Sequence, residues 1–147
     1  MARTDPATHV PPSARRAAFF AALAFVLYFS LCPSETVDET FSKPVQSYDW
    51  LFHTATYAAL GALAVLAFLR RPAPAAPASD RLLPRLRVTL LLSCLGCLLE
   101  LGQRLLPFVG RSCSLSDALH NAFGAVLGAF LAPAVLFLPP ASPRSVP

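Results

Sequence analysis

The sequence predicts an all-α integral membrane protein with four transmembrane helices and both termini cytoplasmic. Two properties of the whole chain, and one of its layout, carry that prediction. Apolar residues make up 55% of the chain and charged residues only 14%, and the mean hydropathy is +0.55, outside the range of an ordinary soluble domain. The charges stand in short blocks between long apolar runs, the pattern of a polytopic helical protein. The runs at Val88–Leu99 and Ala122–Leu138 lack the polar face that a soluble bundle would need. At 147 residues the chain has room for one domain.

Met1–Arg16 is polar and Pro-rich and reads as a disordered tail. Arg15 and Arg16 abut an apolar run, Ala17–Leu31. No small-x-small cleavage site follows it, so it reads as a retained first helix rather than a signal peptide. Pro33–Tyr48 is an acidic loop, with Glu35, Asp38 and Glu39 against Lys43. Trp50–Leu69 is the second helix, preceded by Asp49, with Tyr48 and Trp50 as interfacial aromatics and Arg70-Arg71-Pro72 as its stop. Arg70–Arg87 reads as an arginine-rich Pro/Ala loop, and Val88–Leu106 as the third helix, ended by Pro107. Ser116 is expected to cap the fourth helix, with Asp117 in its first turn. Pro139-Pro140 closes that helix, which makes 17–138 the membrane domain and 139–147 a short tail.

The arginines set the expected topology. The segments before helix one and between helices two and three are basic, while the loop between helices one and two is acidic. The positive-inside rule then puts both termini in the cytoplasm, and the cytoplasmic membrane is the expected location. Arg111 falls outside under this arrangement, which suggests that a partner holds it. The net charge of +4 carries no basic stripe interleaved with aromatics, so nucleic acid is not an expected partner. Cys94 and Cys97 form a CxxC spacing inside a leucine-rich run, where packing is a better reading than redox or metal chemistry. Cys32 and Cys113 both fall near the outer face, where they could pair.

With this topology the polar residues share one stratum. Asp49, His53 and Tyr57 lie in the outer turns of helix two, Glu100, Gln103 and Arg104 in the outer turns of helix three, and Asp117, His120 and Asn121 in the first turns of helix four. Polar groups at membrane depth face the bundle interior and mark a site or a structural clamp. A structural clamp here would be a Glu100–Arg111 or Asp117–Arg111 ion pair. Gly124 and Gly128 form a GxxxG, a device for close helix packing.

The combination D-x3-H-x3-Y (Asp49, His53, Tyr57), E-x2-Q (Glu100, Gln103) and R-x5-D-x3-N-x2-G-x3-G (Arg111, Asp117, Asn121, Gly124, Gly128) resembles the VanZ-like membrane proteins over about Ala17 to Leu138. One departure is Trp50, where that family often carries Lys, so Asp49 has no adjacent cation here. The resemblance implies a small cell-envelope protein, and for the founding member an accessory role in resistance to the glycopeptide teicoplanin. Three functions stay open on the sequence alone. The first is binding of an anionic or lipid-linked head group, with membrane lipids or a lipid-linked envelope precursor as partner. Arg111 and Arg104 would take the anion, oriented by Glu100, Asp117 and Asn121. The second is an intramembrane enzyme with Glu100 or His53 as acid/base. The third is a small carrier, against which the nearly apolar inner halves of the helices argue. No nucleophile elbow, zinc signature or P-loop is present, and no cofactor or metal is expected.

Overall fold

A computed structural model describes residues 10–40, 48–69, 73, 75–111 and 113–136. The fold is helical throughout those residues: α1 Pro12–Leu31, α2 Ser34–Thr40, α3 Asp49–Phe68, α4 Ala78–Leu105, a 3₁₀ turn Pro107–Val109, and α5 Leu115–Leu136. The tail 1–9, Lys43, the Arg70-Arg71-Pro72 stop, Pro139-Pro140 and the tail 139–147 lie outside the described residues. α1, α3 and α4 are each long and apolar enough to cross a membrane, and α5 is apolar from Leu115 to Leu131.

Two boundaries differ from those expected. α1 begins at Pro12, ahead of the apolar run, because proline at the first helical position gives up no hydrogen bond. α4 begins at Ala78, so much of the expected loop is helix. Asp80 in its first turn favours the helix end, and Leu82, Leu83, Arg85, Leu86 and Arg87 are good helix formers that carry it through Pro84. α2 is an addition within the acidic loop.

The burial pattern is inverted relative to a soluble bundle. Leu90, Leu91 and Leu98 are each at least 65% exposed, whereas Glu100 is 3% and Asn121 2% exposed. Apolar side chains facing outward and polar ones inward are what lipid demands of a helical bundle. The side-chain contacts also set the helix directions. Phe19, early in α1, meets Phe68, late in α3, at 5.1 Å, and Arg15 reaches the Leu66 carbonyl oxygen at 3.5 Å, so α1 and α3 are antiparallel. Gln103 Nε2, late in α4, donates to the Ser30 carbonyl oxygen, late in α1, at 2.9 Å. The late turns of α1 and α4 therefore share one end of the bundle with the early turns of α3 and α5.

α3 and α5 form the closest pair, and glycine is the reason. A Cβ at Gly124 would run into the Thr54 carbonyl oxygen, and one at Gly128 into that of Ala58. On the facing helix a Cβ at Gly61 would stand 2.8 Å from the Ala125 carbonyl oxygen and 3.0 Å from the Ala129 nitrogen. The GxxxG thus lets two backbones touch, which allows Cα–H···O contacts and dense packing where lipid supplies no hydrophobic drive. Gly128→Val is expected to open the α3–α5 contact and lower the melting temperature in detergent by several degrees. Gly102→Ala, whose Cβ would meet nothing nearer than Leu31 Cδ2 at 3.7 Å, should leave it within about one degree. Equal melting of the two variants would contradict this account of the packing.

Candidate functional site

At the shared end, α3 presents Asp49, His53 and Tyr57 on successive turns. α5 runs parallel to it and presents Asp117 and Asn121. The two rows meet where His53 Nδ1 donates to Asn121 Oδ1 at 2.9 Å. Asn121 can sit there because Gly96 on α4 has no side chain; a Cβ would stand 2.9 Å from Asn121 Cβ. The other ring nitrogen, Nε2, faces Asp49 Oδ1 at 3.6 Å. One ligand-capable atom from each of Asp49, His53 and Asp117 lies within 4.8 Å of the others.

The connector between α4 and α5 closes the site from above. Val109 in the 3₁₀ turn is fully buried and anchors it. Gly110 then turns the chain at φ 67°, a left-handed conformation that glycine adopts without strain, with Ser34 Oγ 3.0 Å from where its Cβ would be. Arg111 follows and reaches a cleft of about 100 Å³. Asp49, His53, Tyr57 and Gln103 line the polar side of that cleft, and Phe25, Val26 and Phe29 of α1 line its apolar side.

Arg111 does not make the ion pairs expected for a structural clamp. Among the described residues the charged contact is His53 with Asp49, and neither Glu100 nor Asp117 pairs with Arg111. The Arg111 Nη2 is buried without a hydrogen-bond partner, as is the Tyr57 hydroxyl. Glu100 instead ties α4 to the connector, its Oε2 accepting the Ser114 backbone N–H at 3.0 Å. It stands behind the cleft lining. Arg104 is exposed and outside the cleft, because it follows buried Gln103 by one position and one residue turns a helix by about 100°.

Further details depart from the sequence-based expectation. Ser116 lies within α5, and Ser114 caps the helix by accepting the Asp117 N–H on Oγ at 3.2 Å. Cys32 and Cys113 form no disulfide; all four cysteines are free thiols, with Cys32 buried in contact with the Phe29 carbonyl oxygen at 3.6 Å. Trp50 packs its ring 6.0 Å from that of His120, which joins the first turns of α3 and α5 through an aromatic contact. Ser30 and Ser114 support the site and were not singled out in the sequence. A serine carbonyl in an apolar helix leaves no trace there, and three serines in Ser112–Ser116 compete for the cap.

A family model described as VanZ/LLP1 matches residues 7–137, nearly the whole chain. The chain belongs to the VanZ/LLP1 family. No curated protein and no solved structure matches it. For this VanZ/LLP1 protein, the D-x3-H-x3-Y row and the Asn121 row face each other across the α3–α5 contact, with Arg111 lowered onto them by the connector. Glu100→Leu would strand the Ser114 amide, whereas Glu100→Gln keeps an acceptor. The Ser114 amide is expected to exchange hydrogen about tenfold faster in Glu100→Leu than in Glu100→Gln. Equal rates would show that the bond does not hold the connector.

Proposed function

We propose that this VanZ/LLP1 protein binds the anionic head group of a lipid, either a membrane phospholipid or a lipid-linked envelope precursor, in the cleft under Arg111. The supporting observation is the Arg111 Nη2, a buried guanidinium nitrogen with no partner among the described residues. A stranded charged donor is expensive, and an oxyanion would satisfy it with strong, bidentate hydrogen bonds. The apolar wall of Phe25, Val26 and Phe29 gives an acyl or prenyl chain a surface to lie against. Under the positive-inside arrangement, the cleft opens to the outer leaflet of the cytoplasmic membrane and both termini stay inside. The glycopeptide resistance implied by the VanZ resemblance would then act through engagement of a lipid-linked precursor.

His53 supports a second reading, an intramembrane enzyme acting on a lipid-linked substrate. The contact of Nδ1 with Asn121 Oδ1 orients its ring, and His53 lines the cleft, where an imidazole can act as an acid/base. Glu100 is worse placed for that role, being buried and bonded to Ser114.

Binding of a short-chain phosphatidylglycerol and a short-chain polyprenyl phosphate to the purified protein tests the first reading, with phosphatidylcholine as control. Arg111→Lys is expected to weaken binding about tenfold and Arg111→Ala by about a hundredfold, since a fork is replaced by a point charge and then by nothing. Arg104→Ala should leave it unchanged. Equal binding by the parent and Arg111→Ala would sink the proposal. Release of phosphate from the polyprenyl phosphate, lost in His53→Gln, would favour the enzyme.

A further inference from the structure

We propose that Asp49, His53 and Asp117 bind a divalent transition-metal ion beside Arg111. The ligand set is two carboxylates and one imidazole, contributed by the first turns of two helices that the glycine contact holds parallel. The imidazole is already oriented as a metal ligand requires. A ligating histidine donates its other ring N–H to a fixed acceptor, which sets the tautomer and aims the lone pair. Here Nδ1 donates to Asn121 Oδ1 at 2.9 Å, on a residue only 2% exposed, and Nε2 is left to coordinate. His53 Nε2 stands 3.6 Å from Asp49 Oδ1, an ion pair when the imidazole is protonated. Ligand atoms about 2.0–2.2 Å from a tetrahedral ion stand roughly 3.4 Å apart, so a metal ion can take the place of the proton between them. Asp117, within 4.8 Å, completes a three-ligand set, and two of its members, Asp49 and His53, also line the cleft.

Charge and neighbouring groups point the same way. Asp49 and Asp117 bring two carboxylates beside the single guanidinium of Arg111, so a divalent ion held by them has its charge offset locally. A divalent ion adds positive charge near Arg111, as an oxyanion would require. Two unpartnered polar groups on the cleft, the Tyr57 hydroxyl and Arg111 Nη2, are then donors to whatever the metal holds. Nitrogen with carboxylate oxygen selects zinc, manganese or iron over calcium or magnesium. The metal site itself stands without the head-group proposal; only the charge argument rests on it.

The test is titration of the purified, tag-free full chain, stripped with chelator, with Co²⁺ followed by visible absorption, and with Zn²⁺ in competition. The expected result is one saturable site per chain with the intense absorption of low-coordinate Co²⁺. Affinity should fall at least tenfold in Asp117→Asn and about ten- to a hundredfold in Asn121→Ala, which loses only the bond to Nδ1. His53→Gln should lose the site, and helix content and elution profile verify that each variant is folded. Arg104→Ala should bind like the parent. The proposal is overturned if the parent binds Co²⁺ and Zn²⁺ no better than a folded Asp49→Asn/Asp117→Asn variant. Metal binding without phosphatidylglycerol binding would keep this site and remove the head-group reading. Head-group binding that is insensitive to chelator, with no Co²⁺ site, would do the reverse.

Discussion

The contact on which everything else depends is the approach of α3 and α5 through Gly124 and Gly128. Neither glycine leaves room for a side chain against the Thr54 and Ala58 carbonyl oxygens. Helices in lipid associate by close packing and by polar contacts between them, since apolar surface is no worse off against acyl chains than against protein. Once these two backbones touch in parallel, the early turns of both helices are side by side. His53 then falls within hydrogen-bond distance of Asn121, and Asp117 comes near Asp49. The site is a consequence of the glycines as much as of its own polar residues.

Around that contact the bundle satisfies most of its buried polar groups by tying one element to another. Gln103 bonds α4 to α1 through the Ser30 carbonyl, Glu100 bonds α4 to the connector through Ser114, and Asn121 bonds α5 to α3 through His53. Each bond satisfies a polar atom at a place shielded from water. Among the described residues, the buried side-chain polar atoms left without a partner are Arg111 Nη2 and the hydroxyls of Tyr57, Thr54 and Thr89, and of these residues Arg111 and Tyr57 line the cleft. The contrast between paired amide and carboxylate groups and a guanidinium nitrogen left open on the cleft is what motivates the proposed ligand.

Much of this was legible beforehand, for definite reasons. The period and length of the apolar runs located α3 and the membrane part of α4, because a lipid-spanning helix must be nearly free of charge over about 20 residues. That Asp49, His53, Tyr57, Gln103, Asp117 and Asn121 come to one end of the bundle followed from the alternating direction of the helices. Helix ends were less legible. Pro12 and Ala78 start helices in stretches whose composition suggests loop, since a proline at a first turn and one inside a helix look alike in a sequence. Arg104 was misplaced because adjacent helical residues point about 100° apart, and only the packing decides which of them faces inward.

The sequence by itself determined the family, the all-helical membrane-spanning class, and which polar groups come to one end of the bundle. Those follow from hydropathy, charge blocks and local spacing, which are properties of the chain read along its length. Tertiary structure decided who pairs with whom. It gave Glu100 to Ser114 rather than to Arg111, His53 to Asn121, and left Arg111 facing the cleft. The physical reason is that a hydrogen bond is settled by ångström-scale distance and angle, which depend on how close two helices come and how far a connector turns. In this chain those were fixed by side chains that are missing, at Gly96, Gly124 and Gly128, and by one glycine turned left-handed at Gly110.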